Sequence, residues 1–113
     1  MPIVVTRDTF EIEVLQAKEP VLVDFWGPQC RPCLALMPTI ERFEQAYEGK
    51  LKITKVNAAE NRMLCAKLKV FGLPTFLFYR EGAEVDRLTG DQITEANLTK
   101  AIEKILASNG WRA

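Results

Sequence analysis

The sequence of 113 residues contains no histidine, only three cysteines, no excess of charge of either sign and no apolar run of membrane-spanning length. Without histidine the chain lacks the commonest metal ligand and the usual general base near neutral pH. Zinc asks for four ligands, and one pair of cysteines plus a single further cysteine cannot supply them, so no metal and no bound cofactor are expected. Three cysteines also make a poor disulfide framework, and the sparing use fits a reducing compartment. Fifteen basic residues balance fifteen acidic ones, which gives neither nucleic acid nor an anionic membrane anything to hold. The first residues, MPIVVTRDTF, have no basic stretch followed by an apolar core of signal-peptide type. A cytoplasmic location is therefore expected. With no repeat, low-complexity tract or linker-like shift in composition, residues 1–113 read as one domain, long enough to bury its own core.

What is present alternates. IVV (3–5) reads as a short strand, and 8–18 as a helix with Phe10, Val14 and Leu15 on one face and Thr6 and Asp8 as capping candidates. VLVDFW (21–26) is apolar on both faces except at Asp24, the pattern of a strand covered on both sides. GPQCRP then leads into a helix carrying Leu34, Leu36, Met37, Ile40 and Phe43, kinked by Pro38 and ending near Gly49. LKITKVN (51–57) is a third strand, AENRMLCAKLKV holds a short helix, and PTFLFY (74–79) is a fourth strand. REGA turns that strand into a fifth, EVDRLT. A last amphipathic helix, 94–107, uses Leu98, Ala101, Ile102, Ile105 and Leu106. This order gives an α/β fold, a central mixed sheet with helices on both faces.

The chemistry gathers around VDFWGPQCRPC (23–33). Cys30 falls at a strand-to-helix turn and Cys33 one turn later, so the two sulfurs can meet without remodelling the backbone. Free N–H groups at a helix start stabilise a thiolate, which makes Cys30 the attacking sulfur and Cys33 the resolving one. Arg31 adds positive charge, and Pro32 suits the first helical turn. Asp24 shares a strand face with Leu22 and Trp26. Burial there should raise its pKa and fit it to exchange a proton with Cys33, with Lys55 on the neighbouring strand as its charge partner. Proline in GLPT (72–75) belongs at the start of a strand, and a cis Leu73–Pro74 bond would free the Leu73 backbone for an extended peptide. Cys65 reads as a small buried hydrophobe.

These features in order, VLVDFW with Asp24, the Cys30–Cys33 pair, Pro38, KVN with Lys55, and GLPT with Pro74, resemble the thioredoxin family over about residues 4 to 107. Gly90 matches the family's glycine beside the active site. The resemblance implies a five-stranded mixed sheet flanked by four helices, and a cis-proline at Pro74 facing the cysteines. It implies a thiol–disulfide oxidoreductase that reduces protein disulfides through a mixed disulfide on Cys30 resolved by Cys33, with Asp24 and Lys55 tuning proton transfer. Trp26, Gln29, Arg31, Pro32, Leu73, Pro74 and Gly90 become the substrate-binding surface. The implied partners are protein disulfides and a thioredoxin reductase or similar electron donor, acting on a monomer. The alternative is a thioredoxin-fold binding or redox-sensing module. The departures are local: QCRPC stands where the family usually has WCGPC, and Ala59 stands where an acid is common. Gln29 and Arg31 make the centre of the docking surface polar and positive, and Arg31 should raise the reduction potential.

Overall fold

A computed structural model describes residues 2–107; the remaining residues of the single domain expected over 1–113 lie outside the described residues. Five strands form one sheet: β1 (Ile3–Val4), β2 (Val21–Trp26), β3 (Lys52–Asn57), β4 (Thr75–Arg80) and β5 (Ala83–Thr89). Their order is β1-β3-β2-β4-β5. β2 pairs parallel with β3 and antiparallel with β4, and β4 pairs antiparallel with β5, so the sheet is mixed. Among the described residues, four α-helices accompany the sheet: α1 (Arg31–Ala35), α2 (Met37–Ala46), α3 (Arg62–Leu68) and α4 (Glu95–Ala107).

Alternation along β2 divides the core. Val21, Val23 and Phe25 face a cluster with Phe10, Val14, Leu64, Val70 and Leu77, under the first helical segment and α3. Leu22 faces the opposite cluster with Ile40, Phe43, Phe76, Phe78, Leu98 and Ile102, under α2 and α4. A strand buried on both sides must be nearly all apolar, so the carboxyl of Asp24 stands out chemically. Among the described residues, no helix is long and apolar enough to cross a membrane.

Two elements differ from the sequence reading. The helix expected over 8–18 is a five-residue π-helical segment, Glu11–Leu15, in which Gln16 N–H donates to the Glu11 carbonyl at 2.9 Å, five residues back. The Thr6 hydroxyl accepts from Asp8 N–H at 3.2 Å, whereas Asp8 caps nothing and the segment begins at Phe10 without a side-chain cap. The second helix is two helices. Pro38 has no N–H to return to the carbonyl four residues earlier, and the chain breaks at Leu36, whose N–H is shared between the Pro32 and Cys33 carbonyls at 3.2 Å. The break turns Leu34 and Met37 outward, 41% and 44% exposed, while Ile40 and Phe43 stay buried.

The β4–β5 hairpin follows the expected REGA turn. Arg80 pairs with Ala83, and Glu81 and Gly82 between them both have positive φ, 53° and 81°, as a two-residue turn matched to strand twist requires. Arg87 on β5 then reaches across: its guanidinium donates to the Leu68 and Lys69 carbonyls at 2.8 and 2.9 Å and pairs with Glu84. It thereby satisfies carbonyls that α3 leaves open at its end.

Candidate active site

β2 ends at Trp26, and a turn closed by Cys30 N–H on the Gly27 carbonyl at 3.1 Å delivers Cys30 to the start of α1. Cys30 is the N-cap residue, extended in backbone, and its Sγ accepts from Cys33 N–H at 3.2 Å. Leu34 N–H donates to the Cys30 carbonyl at 3.1 Å. Pro32 occupies the first turn of α1, where no partner awaits its missing donor. Cys30 and Cys33 form a disulfide with Cα atoms 5.3 Å apart. Cys30 is half-buried and Cys33 is buried. That asymmetry fits one sulfur meeting partners and one waiting behind it. Pro28, Gln29, Arg31 and Pro32 are exposed around them.

Beneath the disulfide lies a small cavity of about 110 Å³, lined by Asp24, Trp26, Cys33, Met37, Ile40 and Lys55 among others. Asp24 stands opposite Lys55 in the β2–β3 register and opposite Phe76 on β4. Burial pushes its carboxyl from an ordinary 3.8 up to about 7, and the Lys55 charge offsets part of that rise. A carboxyl in such a place exchanges its proton near neutral pH. The Lys55 ammonium lies over the Trp26 ring, 5.4 Å from its centre. That cation–π contact holds the cation beside the cavity, and the sequence reading did not anticipate it.

On the other side of the disulfide loop, the Leu73–Pro74 peptide bond is cis. Leu73 is 37% exposed, and a Cβ placed on Gly27 would meet its Cδ1 at 3.2 Å. Leu73 thus packs against the loop that carries Cys30. Thr75, whose hydroxyl donates to the Gly72 carbonyl at 2.7 Å, pairs with Thr89. Gly90 therefore follows directly beside Pro74, in the left-handed conformation at φ 54°. The end of β2 thus carries the Cys30 loop beside Leu73, Pro74 and Gly90, with Asp24 and Lys55 paired in the strands behind it.

Cys65 is free and buried on α3, and burial pushes its thiol pKa up. It packs with Leu64 and Val70, as a small hydrophobe does. Among the described residues, no three Cys, Asp or Glu side chains gather in a way that could hold a metal. The sequence reading missed Phe71, 83% exposed two residues before the cis bond. An aromatic next to GLPT was the signal available for it.

Comparison with known proteins matches residues 1–104 to the family model described as Thioredoxin. The chain is 44% identical over 100 residues to a thioredoxin of Acetoanaerobium sticklandii, covering 88% of this chain and 95% of that protein. It is 39% identical over 102 residues to thioredoxin 1 of a Nostoc species, covering 90% and 94%. It is 40% identical over 100 residues to a thioredoxin of Peptoclostridium acidaminophilum, covering 88% and 91%.

Proposed function

Given that the chain belongs to the thioredoxin family, we propose how its own residues carry out thiol–disulfide exchange. The protein is a thiol–disulfide oxidoreductase, and the disulfide is closed between Cys30 and Cys33. In the reduced protein, the Cys30 thiolate attacks one sulfur of a partner disulfide. A new S–S bond forms to Cys30, and the other partner sulfur leaves with the electron pair as a thiolate. Cys33 then gives its proton to the Asp24 carboxylate and attacks the Cys30 sulfur. The second partner sulfur departs, two electrons have passed to the partner, and the protein is left in the disulfide form.

The observation that carries this reading is the pairing of the half-buried Cys30 at a helix start with the buried Cys33 over the Asp24 cavity. The N–H directed at Cys30 Sγ and the nearby Arg31 stabilise a thiolate there. Asp24 is the proton acceptor and Lys55 its modulator. Trp26, Gln29, Arg31, Pro32, Leu73, Pro74 and Gly90 form the surface that partners meet. Those partners are protein disulfides, and a thioredoxin reductase or a similar dithiol donor returns the two electrons. The cysteine pair is itself the redox group, so the reaction asks for no further cofactor. The protein acts as a monomer in the cytoplasm.

The test is a Cys33→Ser protein. Incubated with an oxidised protein substrate, it should accumulate a mixed disulfide on Cys30 that dithiothreitol releases, whereas Cys30→Ser should trap nothing. Partners that stay bound to both variants in the presence of reductant would overturn the exchange scheme in favour of a binding module.

A further inference from the structure

α1 ends at Ala35 and α2 begins at Met37, so the break before Pro38 fixes where the Met37 side chain goes. Met37 is 44% exposed, and it also lines the cavity beneath the disulfide with Asp24, Cys33 and Lys55. Its thioether side chain therefore reaches from solvent to the pocket of a buried acid. The other walls sort by depth: Cys33 and Ile40 are buried, whereas a partly exposed Pro2 and an exposed Glu41 stand with Met37 at the mouth. Among the described residues, the titratable groups lining the cavity around Asp24 are Lys55 from β3, Cys33 from α1 and Glu41 from α2. The strand on the other side of Asp24 offers only the apolar Phe76. A thioether packs at such a place as an apolar filler, and it is also a sulfur that peroxides oxidise. Met63 is more exposed, at 70%, but it lies on α3 and does not line this cavity.

We propose that Met37 is an oxidation site by which peroxides slow the exchange reaction, its sulfoxide oxygen acting at the mouth of the Asp24 cavity on the step in which Cys33 gives up its proton. The proposal rests on the exchange scheme above, in which Asp24 takes that proton. Hydrogen peroxide is the oxidant. Its O–O bond breaks, one oxygen becomes bonded to the Met37 sulfur, and the other leaves as water. The sulfur is oxidised by two electrons and the peroxide is reduced by two. A sulfoxide oxygen accepts hydrogen bonds and has no hydrogen to give. Facing Asp24, it bonds the protonated carboxyl and repels the carboxylate. Facing Lys55, it takes up part of the ammonium charge that favours the carboxylate. Both contacts keep the proton on Asp24, and fewer molecules then hold the carboxylate that Cys33 needs. Sulfoxide reductases return the thioether, so the effect is reversible.

The test exposes the full chain and its Met37→Leu variant to the same dose of hydrogen peroxide, with the Cys30–Cys33 disulfide closed so that those sulfurs are protected. Peptide mass mapping should show an added oxygen at Met37, with Met63 as the internal gauge of dose. NMR of the Asp24 carboxyl against pH should show its midpoint rise by about half to one pH unit, the effect of one hydrogen bond to the neutral form. Met37→Leu should show no rise. Both proteins are then reduced with dithiothreitol, which leaves sulfoxides in place, and desalted. Single-turnover release of the second thiol from a saturating peptide disulfide reads the Cys33 step. Divided by the same protein's rate before peroxide, that rate should fall about two- to fivefold at pH 7, as a carboxyl titrating near 7 requires. The ratio should return to near one at pH 9, and stay near one throughout in Met37→Leu. Methionine sulfoxide reductase should restore the lost rate. Full oxidation of Met63 with Met37 untouched overturns the proposal and leaves the exchange scheme standing. So does a midpoint and rate ratio matching those of Met37→Leu, or an equal loss at pH 7 and pH 9, which marks structural damage. A raised midpoint with an unchanged rate also overturns it, and removes Asp24 from the exchange scheme. Untreated protein that reduces no disulfide sinks the scheme and the proposal together.

Discussion

Replacing Asp24 by asparagine should make the oxidised protein more stable, by an amount that depends on pH. The folded state holds the Asp24 proton to about pH 7, against 3.8 for an ordinary carboxyl. Between those values the folded protein binds more protons than the unfolded chain, so stability falls as pH rises. The loss is complete above about pH 7. At 1.36 kcal/mol per pH unit across that window, it reaches about 4 kcal/mol. This is an upper figure, because Asp24 keeps some access to solvent through the cavity mouth. The asparagine side chain has nearly the same shape and does not ionise, so every other titrating group cancels in the difference between the two proteins. Guanidinium unfolding of both oxidised proteins at pH 4, 5.5, 7 and 8.5 should show curves that nearly coincide at pH 4 and separate by several kcal/mol at pH 8.5. A difference of the same size at every pH would refute the reasoning, since it would reflect packing or hydrogen bonding rather than a buried charge.

The site and the fold that carries it give further expectations. Lys55→Gln removes the cation that offsets the burial of Asp24, so the Asp24 carboxyl should titrate above about 7; carbon-detected NMR of that carboxyl against pH checks this, and an unchanged or lower midpoint counts against it. Arg31→Gly should lower the reduction potential of the cysteine pair by on the order of 10 mV, measured by equilibration in graded thiol buffers; a higher potential would contradict thiolate stabilisation by Arg31. Leu98 is fully buried under the sheet, and Leu98→Ala should cost about 2–5 kcal/mol in chemical denaturation. Gly82 has φ 81° and its Cβ position lies 3.1 Å from the Leu15 carbonyl oxygen, so Gly82→Ala should destabilise by more than about 1 kcal/mol; an unchanged midpoint would mean the turn gives way freely.

Legibility in the sequence followed the physics of each element. β2 was readable because Val21–Trp26 is apolar on both faces, and the same pattern made Asp24 conspicuous. β4 was readable as a short run of aromatic and apolar residues opened by Pro74, and its hairpin with β5 from the spacing and the glycine of REGA. The first helical segment was not, because apolar residues at 10, 14 and 15 fit a π-helical turn as well as an α-helix. Backbone bonds reaching five residues back, such as Gln16 N–H to the Glu11 carbonyl, separate the two. Pro38 announced a disturbance but not its size, and the outward turn of Leu34 and Met37 depends on where the break falls. In the site, Cys30, Cys33 and Asp24 carried their own chemistry. The family resemblance added Gly90, which nothing local would have singled out. The Lys55–Trp26 contact and the exposure of Phe71 depend on how separate strands and loops are brought together, and alternation says nothing about that.

The Arg87 clasp has a consequence for the order in which the protein is made. Translation delivers Cys30 and Cys33 early, with Asp24 already behind them, while β4, Gly90 and the guanidinium that closes off α3 come much later. A nascent chain therefore carries both reactive sulfurs before the sheet can close over Asp24 or the rim near Leu73 is fastened. Domains generally fold as units once enough chain has emerged. A truncated product ending before β5 would hold the redox pair without the surroundings that tune it, an exposed dithiol rather than a smaller oxidoreductase.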